Sequence, residues 1–182
     1  MRILAISDID DLHWKHGLGD ADVLLSCGDL FDQVIIEAAE AWGCRKIFAV
    51  KGNHDNVTPF PTPIIDLHLQ VQNYGGFSFG GLNGAWKYKP GGHFLYEQGE
   101  IDSFLSTFPS VDIFLSHNSP RNIHERDGQV HQGFSAINGY IKRTSPKLHI
   151  HGHQHHSRQT IIGQTTIIAI YGHKTIYIVS RM

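Results

Sequence analysis

Cysteine is scarce in this chain: Cys27 and Cys44 are the only 2 among 182 residues. They are isolated, in or beside apolar segments, so they read as buried thiols and exclude a disulfide framework. Long hydrophobic runs are missing as well. No apolar stretch approaches the ~20 residues that a membrane-spanning helix needs, and the opening MRILAI is too short for a signal peptide. A cytoplasmic protein with no membrane partner is the expectation. Nor does charge of one sign accumulate. With 15 Lys and Arg against 17 Asp and Glu the formal charge is −2, which gives no general pull toward nucleic acid or anionic membrane. No internal repeat, linker or low-complexity tract interrupts the chain. Its length fits one domain over residues 1–182, and a domain of that size buries roughly 70% of its unfolded surface. The sequence leaves the oligomeric state open.

Histidine, by contrast, is plentiful, with 14 residues, and several fall at informative places. Five short apolar runs read as buried strands: RILAI (2–6), VLLSC (23–27), KIFAV (46–50), DIFLS (112–116) and KLHIH (147–151). Each is followed directly by polar residues. In order these are Asp8-x-Asp10, Gly28-Asp29, Gly52-Asn53-His54-Asp55, Ser116-His117 and Gly152-His153-Gln154-His155. Ligands of open α/β sheets sit just beyond the carboxyl ends of the strands. Hard oxygen donors and imidazoles converging there suit a divalent metal cluster.

Helical periodicity links the early runs. Residues 33–43 place Val34, Ile35, Ala38, Ala41 and Trp42 on one face, with Asp32 as the expected N-cap and Gly43 as the stop. This βαβ pattern predicts a parallel sheet. Residues 133–144 repeat the helical pattern through Phe134, Ile137, Tyr140 and Ile141. Residues 159–179 alternate as a β-meander with turns near Gly163 and Gly172. The Gly- and aromatic-rich stretch 73–93 reads as a strand plus a long exposed loop.

The ordered set of strand-end residues resembles the calcineurin-like metallophosphoesterase family, whose pattern is D-x-H, GD, GNH[DE], H and GHxH. The likeness runs through residues 1–156. It implies a four-layer α/β/β/α sandwich with mixed sheets and a metal site at the carboxyl ends of the strands. By the same resemblance, two divalent ions would share the bridging carboxylate Asp29 and hold a bridging hydroxide as nucleophile. Asp8, Asp10 and His155 would hold the first ion; Asn53, His117 and His153 would hold the second. His54 would contact the substrate with Asn53 and protonate the leaving oxygen, and Asp55 would orient the His54 imidazole and raise its pKa. Singly these residues mean little, since Asp29 and Asn53 are ordinary turn residues and a lone His117 is more often a hydrogen-bonded core histidine. The order of the whole set carries the resemblance.

Position 10 departs from the family, with Asp where His is usual. Three carboxylates against four metal charges leave about +1 on the cluster, where His would leave about +2. That favours Mn²⁺ or Mg²⁺ over Zn²⁺, with Fe²⁺ and Ni²⁺ also open. Asp10 is the favoured ligand; His13 supplying the imidazole and a damaged first site are the alternatives. Arg121, four residues after His117, is the first candidate to reach a substrate phosphate, with Arg126, Lys87 and Lys89 behind it. Trp86 and Tyr88 either stack on a base or pack in the core. His149 and His151 share one strand face and suit supporting roles behind the metal ligands; His124, His131 and His156 read as structural or exposed. The expected activity is hydrolysis of phosphate esters, diesters before monoesters. The alternatives are a non-catalytic binding module on the same fold, motivated by Asp10, and a nuclease, against which the net charge argues.

Overall fold

The computed structural model describes residues 1–9 and 19–179. Two sheets lie face to face. The first contains β1 (Arg2–Ser7), β2 (Val23–Ser26), β3 (Lys46–Ala49) and β4 (Ile64–Asp66), with α1 (Asp32–Ala41) joining β2 to β3. The second begins with β5 (Val71–Tyr74) and β6 (Phe77–Leu82). The short strands β7 (Ala85–Trp86) and β8 (Leu95–Tyr96) then lead into α2 (Gln98–Thr107), β9 (Ile113–Ser116), α3 (Ser135–Thr144), β10 (Leu148–His151), β11 (Arg158–Ile162) and β12 (Thr165–Ala169). The last strand, β13 (Gly172–Tyr177), returns to the first sheet. The orders are β13-β1-β2-β3-β4 and β11-β12-β10-β9-β6-β5.

The apolar runs explain the layers. Strand side chains alternate, so Ile3, Ala5, Val23, Leu25 and Phe48 point into the core between the sheets, where they meet Phe79, Ile113, Leu115 and Ile150. Their neighbours Leu4, Ile6, Leu24 and Ile47 face outward, onto Ile35 and Ala38 of α1. On the far side Phe114 and Ile167 meet Ile101 and Leu105 of α2 and Ile137 and Tyr140 of α3. Helix, sheet, sheet and helices form the four-layer α/β/β/α sandwich that the resemblance implied. Each fully buried large aliphatic contributes about 1.5–3 kcal/mol, so strands covered on both faces give their carboxyl ends a rigid base. No helix among the described residues is long and apolar enough to cross a membrane.

Several local expectations change. Phe31 takes the N-cap position of α1 and Asp32 lies in the first turn, with no side-chain cap bond. There its carboxylate favours the helix dipole and lies 3.7 Å from the buried Lys51 ammonium. Gly43 does end this helix, at a φ of +63°. The sheets are mixed, not wholly parallel: β13 runs antiparallel to β1, as β5 does to β6 and β11 to β12. The expected meander is only a hairpin, β11–β12, because β13 crosses to the other sheet. There Ile176 and Ile178 join the central core, which covers the edge of β1. In the Gly-rich stretch, Gly75 and Gly76 turn a tight hairpin between β5 and β6, and Trp86 packs against the core under α2 and α3. Helix α2 goes beyond the elements expected from the sequence. Its signal was the capping box between Glu97 and Glu100, three residues apart just before the apolar Ile101, Phe104 and Leu105.

Candidate metal centre

Every described ligand candidate sits where a strand ends. Asp8 follows β1 and Asp29 follows β2, both in left-handed conformation at φ of 56° and 55°. His117 follows β9, and His153 and His155 follow β10, also left-handed at 65° and 47°. Such conformations are costly for residues other than glycine and persist only where surrounding contacts hold them. Glycines make the approach of these loops feasible. A Cβ on Gly52 would collide with Asp29 Oδ1, and one on Gly152 with Ser7 Oγ and Asp8 Oδ2.

The innermost group is Asp8, Asp29 and His117, whose ligand atoms all lie within 4.8 Å of one another. His117 is wholly buried. Its Nδ1 is 2.7 Å from the Cys27 carbonyl, which can only accept, so Nδ1 carries the proton and Nε2 turns inward. Nε2 faces two oxygens, Asn53 Oδ1 at 3.2 Å and Asp29 Oδ2 at 3.3 Å. In the metal-free protein burial pulls the His117 pKa down, but the Asp29 carboxylate, with Asp8 and the Cys27 carbonyl, lifts it to about 9. For Asp29, burial works upward, yet the charge and hydrogen bond of His117, with those of His54, bring it below the usual carboxylate range. The group therefore gathers anionic oxygen around an imidazole that must take up a proton or meet a cation.

Asp8 makes the same point. Its Oδ2 accepts from Ser7 Oγ at 2.6 Å and from the His153 amide at 2.9 Å. Its Oδ1 is sealed from solvent with no hydrogen-bond partner among the described residues, and His155 Nε2 lies 3.3 Å from it. A buried carboxylate oxygen is costly unless positive charge faces it, which a protonated His155 or a bound cation would supply. His153 donates from Nε2 to the Val130 carbonyl at 2.9 Å, leaving Nδ1 with the lone pair, and its ring centroid is 4.9 Å from that of His117. Asp10 and His13, the two candidates for the remaining place beside Asp8, lie outside the described residues.

A pocket of about 250 Å³ opens on this group, lined by Asp8, Asp29, His54, His155 and Tyr171. The His54 amide donates to Asp29 Oδ1 at 2.8 Å, while its imidazole is exposed and makes no hydrogen bond among the described residues. Tyr171 stacks on His155 at 5.4 Å. It was missed because it enters from the β12–β13 connection, outside every motif.

Two expected roles change. Asp55 does not hydrogen-bond His54. Its carboxylate accepts from the amides of Gly52 at 2.7 Å, Asp29 at 3.0 Å and Leu30 at 3.1 Å, so it staples the loop after β3 to the loop after β2. Arg121 does not line the pocket. Its guanidinium is paired with Glu125 at 3.3 Å, four residues on in the same loop.

Behind the ligands lies a set of buried histidines. Ser116 Oγ donates to the Asn118 carbonyl at 2.6 Å and so accepts a hydrogen bond from His149 Nε2, at 2.8 Å. His151 donates from Nδ1 to the Gly152 carbonyl at 3.0 Å; its Nε2 then accepts from His124 Nδ1 at 3.1 Å, and His124 Nε2 accepts from Thr160 at 2.9 Å. His151 thus braces the start of the GHQH loop, His149 ties β10 to the end of β9, and His124 joins His151 through a contact between loops. Each ring is neutral in this network. Burial first, then neighbouring positive charge, lowers the pKa of His124 to about 4 and that of His149 to about 3. Unfolded histidines titrate near 6.5. Above that pH neither state is charged; below it the unfolded chain takes protons that the fold refuses, so stability falls from about pH 6.5 toward pH 4. Thermal midpoints at pH 7.5, 5.5 and 4.5 should drop steeply, and His149→Phe should flatten the trend. An unchanged slope in that variant would show that His149 is not one of the groups responsible.

Comparisons with known proteins agree with this architecture. A family model described as calcineurin-like phosphoesterase matches residues 1–157. The fold is similar to that of TT1561 of Thermus thermophilus, at 17% identity over 94% of this chain and 89% of that one, with a TM-score of 0.62. It is similar to phosphopantetheinyl hydrolase (PptH) of Mycobacterium tuberculosis, at 13% identity over 93% and 89%, with a TM-score of 0.58. Wild-type Vps29 of Entamoeba histolytica, complexed with Zn²⁺, aligns at 14% identity over 94% and 74%, with a TM-score of 0.50. No curated protein matches the sequence.

Proposed function

Since the chain belongs to the calcineurin-like phosphoesterase family, we propose that it is a metal-dependent phosphodiesterase with a dinuclear centre, Mn²⁺ being the preferred ion. The observation that carries this reading is the compact group of Asp8, Asp29 and His117, whose ligand atoms lie within 4.8 Å of one another, with the solvent-sealed Asp8 Oδ1 facing His155 Nε2, in a pocket also lined by His54. Asp8, Asp29, Asn53, His117, His153 and His155 would hold the ions, with Asp10 or His13 completing the first site. When bound, the ions would polarise the phosphoryl oxygens and lower the pKa of a water molecule. Asp29 would anchor both ions while its Oδ1 fixes the backbone of His54. The free His54 imidazole would stand over the pocket to protonate the leaving oxygen. Asp55 would act indirectly, holding Gly52 and Asp29 in register.

The test is a metal-free preparation reloaded in turn with Mn²⁺, Mg²⁺, Fe²⁺, Zn²⁺ or Ni²⁺. It is then assayed on bis-p-nitrophenyl phosphate and on p-nitrophenyl phosphate. Diester turnover highest with Mn²⁺ is expected. A monoester preference would move the assignment to a phosphomonoesterase, and no turnover with any ion would leave a binding module. Metal titration of Asp10→Ala beside His13→Ala identifies the remaining ligand.

His54→Ala should retain both ions yet lose about 10²–10⁴-fold in turnover, the usual contribution of a general acid or base. The loss should be greater for a nucleoside leaving group than for p-nitrophenolate, which hardly needs a proton. Equal losses on both substrates would leave His54 with a binding role only, and loss of an ion would make it a ligand.

A further inference from the structure

We infer that the basic pocket beside His155 is a second phosphate subsite, so that the preferred substrate is a nucleotide-type phosphodiester carrying an additional phosphate group. This rests on the phosphodiesterase reading above and extends it to the substrate class. The pocket encloses about 360 Å³ and is lined by Glu125, Arg126, His155, His156, Ser157 and Arg158. It shares His155 with the metal-facing pocket, so the two spaces adjoin at that side chain. Two anionic groups joined by a short linker, such as the sugar of a nucleotide, could occupy both.

The free charge of this pocket is positive. Its one carboxylate, Glu125, is already engaged: Oε1 accepts from the Gly133 amide at 2.6 Å, and both oxygens take the Arg121 guanidinium at 3.3 and 3.5 Å. Arg126 and Arg158 form no ion pair among the described residues. Planar guanidiniums are well matched to phosphate oxygens, which they bind in bidentate fashion.

The arginines also spring from fixed backbone. The Arg126 amide donates to Gln154 Oε1 at 2.9 Å. Gln154 is wholly buried and is pinned in turn to Ser119 Oγ at 3.0 Å and to the His131 carbonyl at 2.8 Å. It stands between His153 and His155, so the residue that spaces these two ligands also positions Arg126. Arg158 opens β11, paired in register with Ala169. His156 donates from Nδ1 to the Gln154 carbonyl at 2.8 Å, and its Nε2 has no partner among the described residues.

The test compares thymidine 5′-monophosphate with thymidine 3′,5′-bisphosphate by titration calorimetry on the Mn²⁺-loaded protein. The bisphosphate should bind at least about 10-fold more tightly, as charge-assisted contacts to one added phosphate imply. The advantage should shrink as KCl is raised. The double variant Arg126→Gln/Arg158→Gln should bind both nucleotides alike. Both side chains are exposed, so the variant should fold with an unchanged thermal midpoint. In parallel, the p-nitrophenyl ester of thymidine 5′-phosphate is assayed with and without a 3′-phosphate, and the kcat/KM preference for the former should vanish in the variant. Equal binding of the two nucleotides by the wild type, or undiminished discrimination in the variant, overturns the subsite. If neither ester is hydrolysed but the bisphosphate is still favoured through the arginines, the hydrolytic reading fails and the subsite stands.

Discussion

Asp29→Ala is expected to bring diester hydrolysis to background and to leave fewer than two ions per chain. Three links converge on this carboxylate. Its Oδ1 holds the His54 amide at 2.8 Å, its Oδ2 faces His117 Nε2 at 3.3 Å, and it shares the compact ligand group with Asp8. Truncation therefore loosens the candidate acid, strips negative charge from the candidate ligand group and removes the group proposed to bridge two ions. Asp29→Asn separates these effects: its amide oxygen can still accept from His54, but the charge is gone, so metal affinity should fall with little change in thermal stability. Proton release gives an independent readout. The metal-free His117 titrates at about 9, lifted chiefly by Asp29 against the pull of burial. A ligand must be deprotonated to bind metal, so metal uptake by the wild type should release a proton at pH 7.5 and tighten as the pH rises toward 9. Without Asp29 that support is lost, and the His117 proton should no longer be released. Two bound ions with near-normal turnover in Asp29→Ala would end the bridging assignment.

The strand ends were legible because each follows a run buried on both faces and because the chain must turn there. Gly28, at a φ of +92°, and the crowded Gly52 and Gly152 mark those turns in the sequence itself. What was not legible depends on contacts between distant segments. The His153 amide reaches an Asp8 oxygen across 145 residues, and no local pattern announces that bond. The Asp55 carboxylate lies next to His54 in sequence, yet it is consumed by three backbone amides drawn from two loops. Arg121 was well spaced to reach a substrate, but Glu125, four residues later, captures it. The residues that flank the pocket in compensation, Tyr171 and the pair Arg126 and Arg158, come from the β12–β13 connection, the loop after β9 and the start of β11. The antiparallel place of β13 was hidden for a similar reason. Alternation tells which face of a strand is buried, not which sheet it joins.

Gly152→Ala should damage the candidate centre while leaving the fold in place. Its added methyl would collide with Ser7 Oγ and Asp8 Oδ2, at the seam where the loop after β10 meets the end of β1. Those two atoms are hydrogen-bonded to each other at 2.6 Å, and Asp8 Oδ2 also holds the His153 amide at 2.9 Å. Relief requires the seam to part, which displaces Asp8 from His155 and shifts His153. Overpacking of this kind costs about 1–3 kcal/mol, a fall of roughly 2–12 °C in thermal midpoint for a domain of this length. The loss in function should be far larger, more than about 100-fold, the scale expected when a catalytic constellation shifts by ~1 Å. Metal titration should show both sides weakened, because the seam carries Asp8 on one side and His153 on the other, and the Gly152 amide itself donates to the His117 carbonyl at 3.0 Å. Gly139→Ala is the control. Gly139 lies inside α3 with open space where its Cβ would be, so helix propensity alone should stabilise that variant by about 0.5–1 kcal/mol without changing turnover. Full activity and two ordinary metal sites in Gly152→Ala, with only its stability lowered, would mean that the close approach of these two loops serves packing and not the centre.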